Sequence, residues 1–97
     1  MNKTEIIEKL RDESDYLREN YGVKSIGLFG SFQRREEETG SDIDLLVSLE
    51  KGNKDFFNYM RLKEYLENLF GREVDLVTKP ALKEKLRDKI LDQIEYV

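Results

Sequence analysis

Asp42 and Asp44 are the residues of this chain whose type and spacing most directly suggest chemistry. Two positions apart on an extended backbone, their side chains fall on the same face. Carboxylates held that close repel each other unless a cation sits between them. Hard oxygen donors of this kind suit Mg²⁺, with Mn²⁺ as the alternative, and such ions keep several waters and bind substrate phosphates. Taken alone, the pair also reads as a strand start whose acids are simply solvated, because Asp-x-Asp is a common pattern. Asp75 adds a third carboxylate, set between Val74 and Leu76 in another extended run. If that run neighbours the one carrying Asp44, three acids converge on one open face. Such a set can hold two metal ions for in-line displacement at phosphorus. The chain has no histidine, so Asp75 is also the best candidate to take a proton from an acceptor hydroxyl. An exposed edge position is the competing reading for Asp75.

Gly30-Ser31 stands where a strand meets a short helix. Glycine lets backbone approach a phosphate closely, and a helix start offers free N–H groups and partial positive charge. Ser31 adds a hydroxyl donor. An ordinary turn with Ser31 as helix cap has the same appearance. Arg34 and Arg35 follow within one turn, and either could reach a triphosphate oxygen or stay in solvent. Glu36, Glu37 and Glu38 read as a solvated face.

These residues need elements to position them. Residues 2–20 carry Ile6, Ile7, Leu10, Ser14 and Leu17 at helical spacing, with Asn2 and Glu5 as a capping box and Tyr21-Gly22 as the stop. Residues 23–29 predict a strand that runs directly into Gly30-Ser31. Residues 32–38 predict a short helix broken at residues 39–41. A second strand follows over 42–49, with Ile43, Leu45, Val47 and Leu49 on one face and Asp42, Asp44, Leu46 and Ser48 on the other. Residues 55–70 predict a long helix with Phe56, Tyr59, Met60, Leu62, Lys63, Leu66, Leu69 and Phe70 along its stripe. A third strand spans 73–78, and Pro80 opens a last helix through Ile94. The sum is an α+β (α/β) domain over residues 1–97: a small mixed sheet of three strands, with room for a fourth, covered by helices on one face.

Composition removes several alternatives. A chain of 97 residues makes one small domain. It has no cysteine and no histidine, which excludes disulfides, zinc sites built on those residues and Cys or Ser-His nucleophiles. The net charge is −4; without a basic stripe, direct nucleic-acid binding is not expected. A polar N-terminus and the lack of a long apolar run point away from a signal peptide or membrane span, leaving the cytoplasm as the expected location.

Gly-Ser, ten intervening residues, Asp-x-Asp, then an isolated strand Asp together resemble the nucleotidyltransferase superfamily related to DNA polymerase beta. More narrowly, the chain is similar to the minimal nucleotidyltransferases, the MNT or MntA-type antitoxins that work with HEPN-domain toxins. The likeness runs through residues 26–31, 41–47 and 74–77 to the closing Tyr96-Val97. It implies a polymerase beta-type fold, with Gly30, Ser31 and Arg34 binding the triphosphate and Asp42, Asp44 and Asp75 holding Mg²⁺, two ions in number. It further implies transfer of AMP from ATP to a tyrosine of a cognate HEPN RNase toxin, which neutralises the toxin. Two departures are visible: Gln33 stands where a small residue is common, and Arg35 where glycine is common. Three other outcomes stay open: a non-catalytic antitoxin that occludes its partner, transfer to a small molecule, or transfer to RNA. Phe56-Phe57-Asn58-Tyr59-Met60 and Tyr96-Val97 are readable as core or as partner contacts.

Overall fold

The computed structural model describes residues 1–38, 40–82 and 84–97, the side chains of 84–86 excepted. Helices α1 (Lys3–Asp12) and α2 (Ser14–Tyr21) lead into strand β1 (Val23–Phe29) and the one-turn helix α3 (Gly30–Gln33). Strand β2 (Ile43–Leu49), helix α4 (Phe56–Phe70) and strand β3 (Val74–Thr78) follow, then a 3-10 turn (Lys79–Ala81), helix α5 (Glu84–Gln93) and strand β4 (Glu95–Tyr96).

The expected first helix is split in two. Asn2 caps its start, its side chain accepting from Glu5 N–H at 3.0 Å. The break falls at Glu13, where the Ser14 hydroxyl donates back to the Arg11 carbonyl at 3.0 Å. Serine in a helix interior competes for backbone partners in this way. Ile6, Ile7, Leu10 and Leu17 are buried as expected, together with Tyr21, whereas Ser14 is exposed.

The sheet has four strands in the order β3-β2-β1-β4. The fourth is β4, a two-residue strand that pairs antiparallel with Gly27 and Leu28. β1 and β2 are antiparallel, and β2 and β3 run parallel with α4 as the crossover. One face of the sheet carries Ile26, Leu28, Ile43, Leu45, Val47, Val74 and Leu76, packed with the apolar stripes of α1, α2 and α4. The opposite face carries Phe29, Asp44 and Asp75 side by side, because Phe29 pairs with Asp44 and Asp44 with Asp75.

The helical cover is wider than one face. Leu46, on the side of the acids, is fully buried. Beside it, a Cβ on Gly27 would come within 2.6 Å of the Ile94 side chain. The C-terminal segment therefore lies over this part of the second face, and Lys3 ties it to α1 through Glu95 at 3.0 Å.

Two further boundaries move. Pro80 sits in the 3-10 turn, and α5 begins only at Glu84. Along α4, Leu62, Leu66 and Phe70 are buried, but Phe56, Phe57 and Met60 are exposed at 70%, 80% and 42%. Asn58 is buried in their stead, donating to the carbonyls of Tyr21 and Asn53 at 2.8 Å each. In the first turn of α4, Phe56 and Phe57 face away from the core while Tyr59 packs against it.

Candidate active site

Phe29 ends β1 in an extended conformation, and the chain turns at once into α3. The turn is made by Gly30 at φ +75°, a region that favours glycine. Space makes the same demand. A Cβ at this position would collide with Asp44 Oδ2 and lie 2.8 Å from Asp44 Cγ. Gly30 is thus the residue whose missing side chain lets the Asp44 carboxylate sit against the backbone at the start of α3. Ser31 follows, half-buried, in the first turn of that helix, where N–H groups lack intrahelical partners.

Asp44 lies in the middle of the site. The parallel register of β2 and β3 sets Asp75 directly across from it. Burial pushes the Asp44 carboxyl up from 3.8 to about 6, reinforced by the negative charge of Asp75, that of Asp42 and a side-chain hydrogen bond with Asp75, and opposed by Arg34. Two carboxyl groups in hydrogen-bond contact cannot both hold full charge cheaply. Asp42 stands one residue before β2 and is exposed, at the margin of this pair. Among the described residues, no group of three or more acids is set at the spacing of a metal cage. The fold instead assembles a close Asp44–Asp75 pair with Asp42 as a flanking charge.

The donor set fits a hard divalent cation. It is all oxygen, partly desolvated, and its repulsion is of the kind that a bound cation relieves.

The two arginines separate. Arg34 acts on Asp44 and is held from two sides: Nε bonds Glu36 at 3.2 Å, and a terminal nitrogen bonds Gln93 of α5 at 3.3 Å. Arg35 points elsewhere, lining a small hollow with Lys3, Glu8, Arg11 and Glu95. Its φ is +59°, so a residue with a Cβ stands where glycine fits best. This turn also ends α3 after Gln33, so the helix expected over 32–38 does not form. Glu36–Glu38 form no uniform solvated face: Glu36 pairs with Arg34, and Glu37 Oε2 is buried without a hydrogen-bond partner among the described residues. The Arg34 anchors escaped the sequence reading. Gln93 is 59 residues away from Arg34, and no local pattern announces such a contact.

A groove of about 760 Å³ extends along the β3 edge beyond the acids, lined among others by Ser48, Phe56, Tyr59, Val77 and Pro80. Tyr96 is 41% exposed, and Val97 packs against the core with its N–H on the Ile26 carbonyl at 3.0 Å.

The fold thus sets a strand-turn-helix, with glycine at its turn, against an acid pair carried on two parallel strands. The nucleotidyltransferase domain model matches residues 7–97, and the chain belongs to that family. It is 43% identical over 81 residues to the protein adenylyltransferase MntA of Thermococcus cleftensis, covering 84% of this chain and 81% of that protein. Among solved structures it resembles a provisionally named minimal nucleotidyltransferase, with a TM-score of 0.81, 34% identity and coverage of 98% and 95% of the two chains. It also resembles a chain of a toxin-antitoxin crystal structure with AMP-PNP, with a TM-score of 0.70, 26% identity and coverage of 99% and 72%. A chain from the complex of tri-AMPylated Shewanella oneidensis HEPN toxin with MNT antitoxin matches with a TM-score of 0.60, 25% identity and coverage of 98% and 67%.

Proposed function

We propose that this chain is an antitoxin nucleotidyltransferase that transfers AMP from ATP to a tyrosine of a HEPN-domain RNase toxin and so neutralises it. The observation that carries the reading is the Asp44–Asp75 pair across β2 and β3, with the Gly30 backbone against Asp44. The adenylyltransferase relative and the two toxin-antitoxin structures support the choice of nucleotide and partner. Among the described residues, no helix is long and apolar enough to cross a membrane.

The roles follow from position. Gly30 and Ser31 face the triphosphate with backbone N–H groups and a hydroxyl, and Arg34 offers a guanidinium to a phosphate oxygen. Asp42, Asp44 and Asp75 are the residues that would hold Mg²⁺, two ions in the full site, or Mn²⁺ in its place. The chemistry supplied by the bound metal is neutralisation of phosphate charge and orientation of the acceptor oxygen. In the transfer, the tyrosine oxygen bonds the α-phosphorus, the bond from that phosphorus to the bridging oxygen breaks, and pyrophosphate leaves. The tyrosine proton passes to the Asp75 carboxylate, which is exposed and open to an incoming side chain. The exposed Phe56, Phe57 and Met60 of α4, the first of which lines the groove, offer the acceptor protein an apolar contact.

The test is direct. The chain is incubated with ATP, Mg²⁺ and the HEPN-domain protein, and intact masses are taken. Steps of one AMP on the partner, absent with Asp42→Asn/Asp44→Asn, are expected. Inhibition of the partner without a mass change, retained by that double variant, would sink the enzymatic reading in favour of occlusion. AMP found only on RNA or a small molecule would reassign the acceptor.

A further inference from the structure

We infer that Arg72 is a positioning residue that fixes Asp42 relative to the Asp44–Asp75 pair. The inference rests on the metal-dependent reading given under Proposed function. Asp42 needs such a device. It precedes β2, so no strand pairing sets its backbone, and its side chain is exposed.

Its two neighbours are both held by the segment between α4 and β3. Arg72 donates from a terminal guanidinium nitrogen to the Ser41 carbonyl at 2.9 Å. The Ile43 N–H donates to the Glu73 carbonyl at 3.0 Å. Asp42 is thus bracketed by bonds to consecutive residues, 72 and 73. The turn before it is closed on itself, with Ser41 N–H on the Glu38 carbonyl at 3.0 Å and Glu38 N–H on the Ser41 hydroxyl at 2.8 Å. Arg72 therefore pins a preformed turn at its last residue.

The same guanidinium lies 5.1 Å over the ring of Phe32. Phe32 is 1% exposed and follows Ser31 in α3. One side chain therefore links the phosphate-facing turn, the Asp42 turn and the strand that carries Asp75 three residues later. Arginine suits this task better than lysine, because its planar group can stack on a ring while its edge donates to a carbonyl.

The experiment measures Mn²⁺ binding to the nucleotide-free full chain by electron paramagnetic resonance, beside AMP transfer kinetics and thermal unfolding. The variants are Arg72→Met, Arg72→Lys, Asp42→Asn and Arg72→Met/Asp42→Asn. Residues that orient metal ligands cost about 10–100-fold in metal affinity when removed, and Arg72→Met is expected to fall in that range, with Arg72→Lys between it and the parent. The double variant should bind Mn²⁺ no more weakly than Asp42→Asn alone, because Arg72 acts through Asp42. Unchanged Mn²⁺ affinity in folded Arg72→Met, or fully additive losses in the double variant, would overturn the inference. If Arg72→Met does not fold, Arg72→Lys carries the comparison: lowered melting temperature with parental Mn²⁺ affinity overturns it, and weakened affinity upholds it. A parent chain that binds no Mn²⁺ and transfers no AMP removes the functional reading itself, and this inference with it.

Discussion

Leu45 and Asp44 are adjacent in β2, and the two faces of the sheet use them in opposite ways. Leu45 is fully buried among Leu28, Leu76 and the helical layer. Its burial contributes about 2–3 kcal/mol, the usual value for a leucine side chain taken out of water. Asp44 is half-buried beside two other acids, with its charged form disfavoured by that burial. Leu45 stabilises the chain, whereas Asp44 stores repulsion that a cation or a proton removes. The period of two along a strand makes this division possible at a distance of one residue.

That contrast can be broken most strongly from the apolar side. Leu45→Ala should lower unfolding free energy by about 3 kcal/mol, within the range for leucine truncations in cores. Urea unfolding followed by circular dichroism measures it, and a loss below about 1 kcal/mol would show that this face is not the stabilising one. Gly30→Ala comes next. The added Cβ collides with Asp44 and must sit at φ +75°. A cost of about 2 kcal/mol is expected from strain and displacement, together with loss of AMP transfer in the intact-mass assay.

Asp44 should move in the opposite direction. In the folded chain its carboxyl keeps a proton up to about pH 6, whereas the unfolded chain releases it near 3.8. Between those values the folded state binds more protons, so the metal-free chain loses stability as pH rises, and the penalty is complete above about pH 6. Asp44→Asn has no such penalty. At pH 7 without divalent cations it should be more stable than the parent by about 1 kcal/mol, a melting shift of about 5 °C, and the advantage should shrink toward pH 4. A parent chain whose melting temperature stays flat across this window would remove the repulsion argument. The smallest effect is at Arg35. Replacing it by glycine relieves the left-handed residue at φ +59°; relief of that strain, less the entropy lost by glycine, leaves a gain of about 0.5 kcal/mol, measurable by differential scanning calorimetry.

The same division explains what the sequence made legible. β1, β2 and β3 were expected within a residue of their bounds, because alternating apolar residues have to face one core. Gly30, Asp44 and Asp75 were legible for the same reason: they interrupt or oppose that alternation. The expected helix over 32–38 has good local helix formers, yet it ends at Gln33, and the chain turns at Arg35 on its way back to pair β2 antiparallel with β1. β4 has no strand-length signal of its own; it exists through pairing with Gly27 and Leu28. Pro80 suits a 3-10 turn as well as a helix start, and local preference cannot choose between them. Phe56 and Phe57 show the limit of apolar content as a guide: their type suggests core, and only the position of the helix end leaves them in solvent.

β3 also has an outer side, and two side chains of α4 reach it. Glu67 accepts from the Val74 N–H at 3.1 Å, and the Tyr59 hydroxyl donates to the Leu76 carbonyl at 2.5 Å. A bare outer strand is a template on which further chains can stack. Here the crossover helix takes up two of the backbone groups that such stacking would use. Asp75 therefore stays exposed on its face of the strand while two backbone groups along the strand's margin are already bonded.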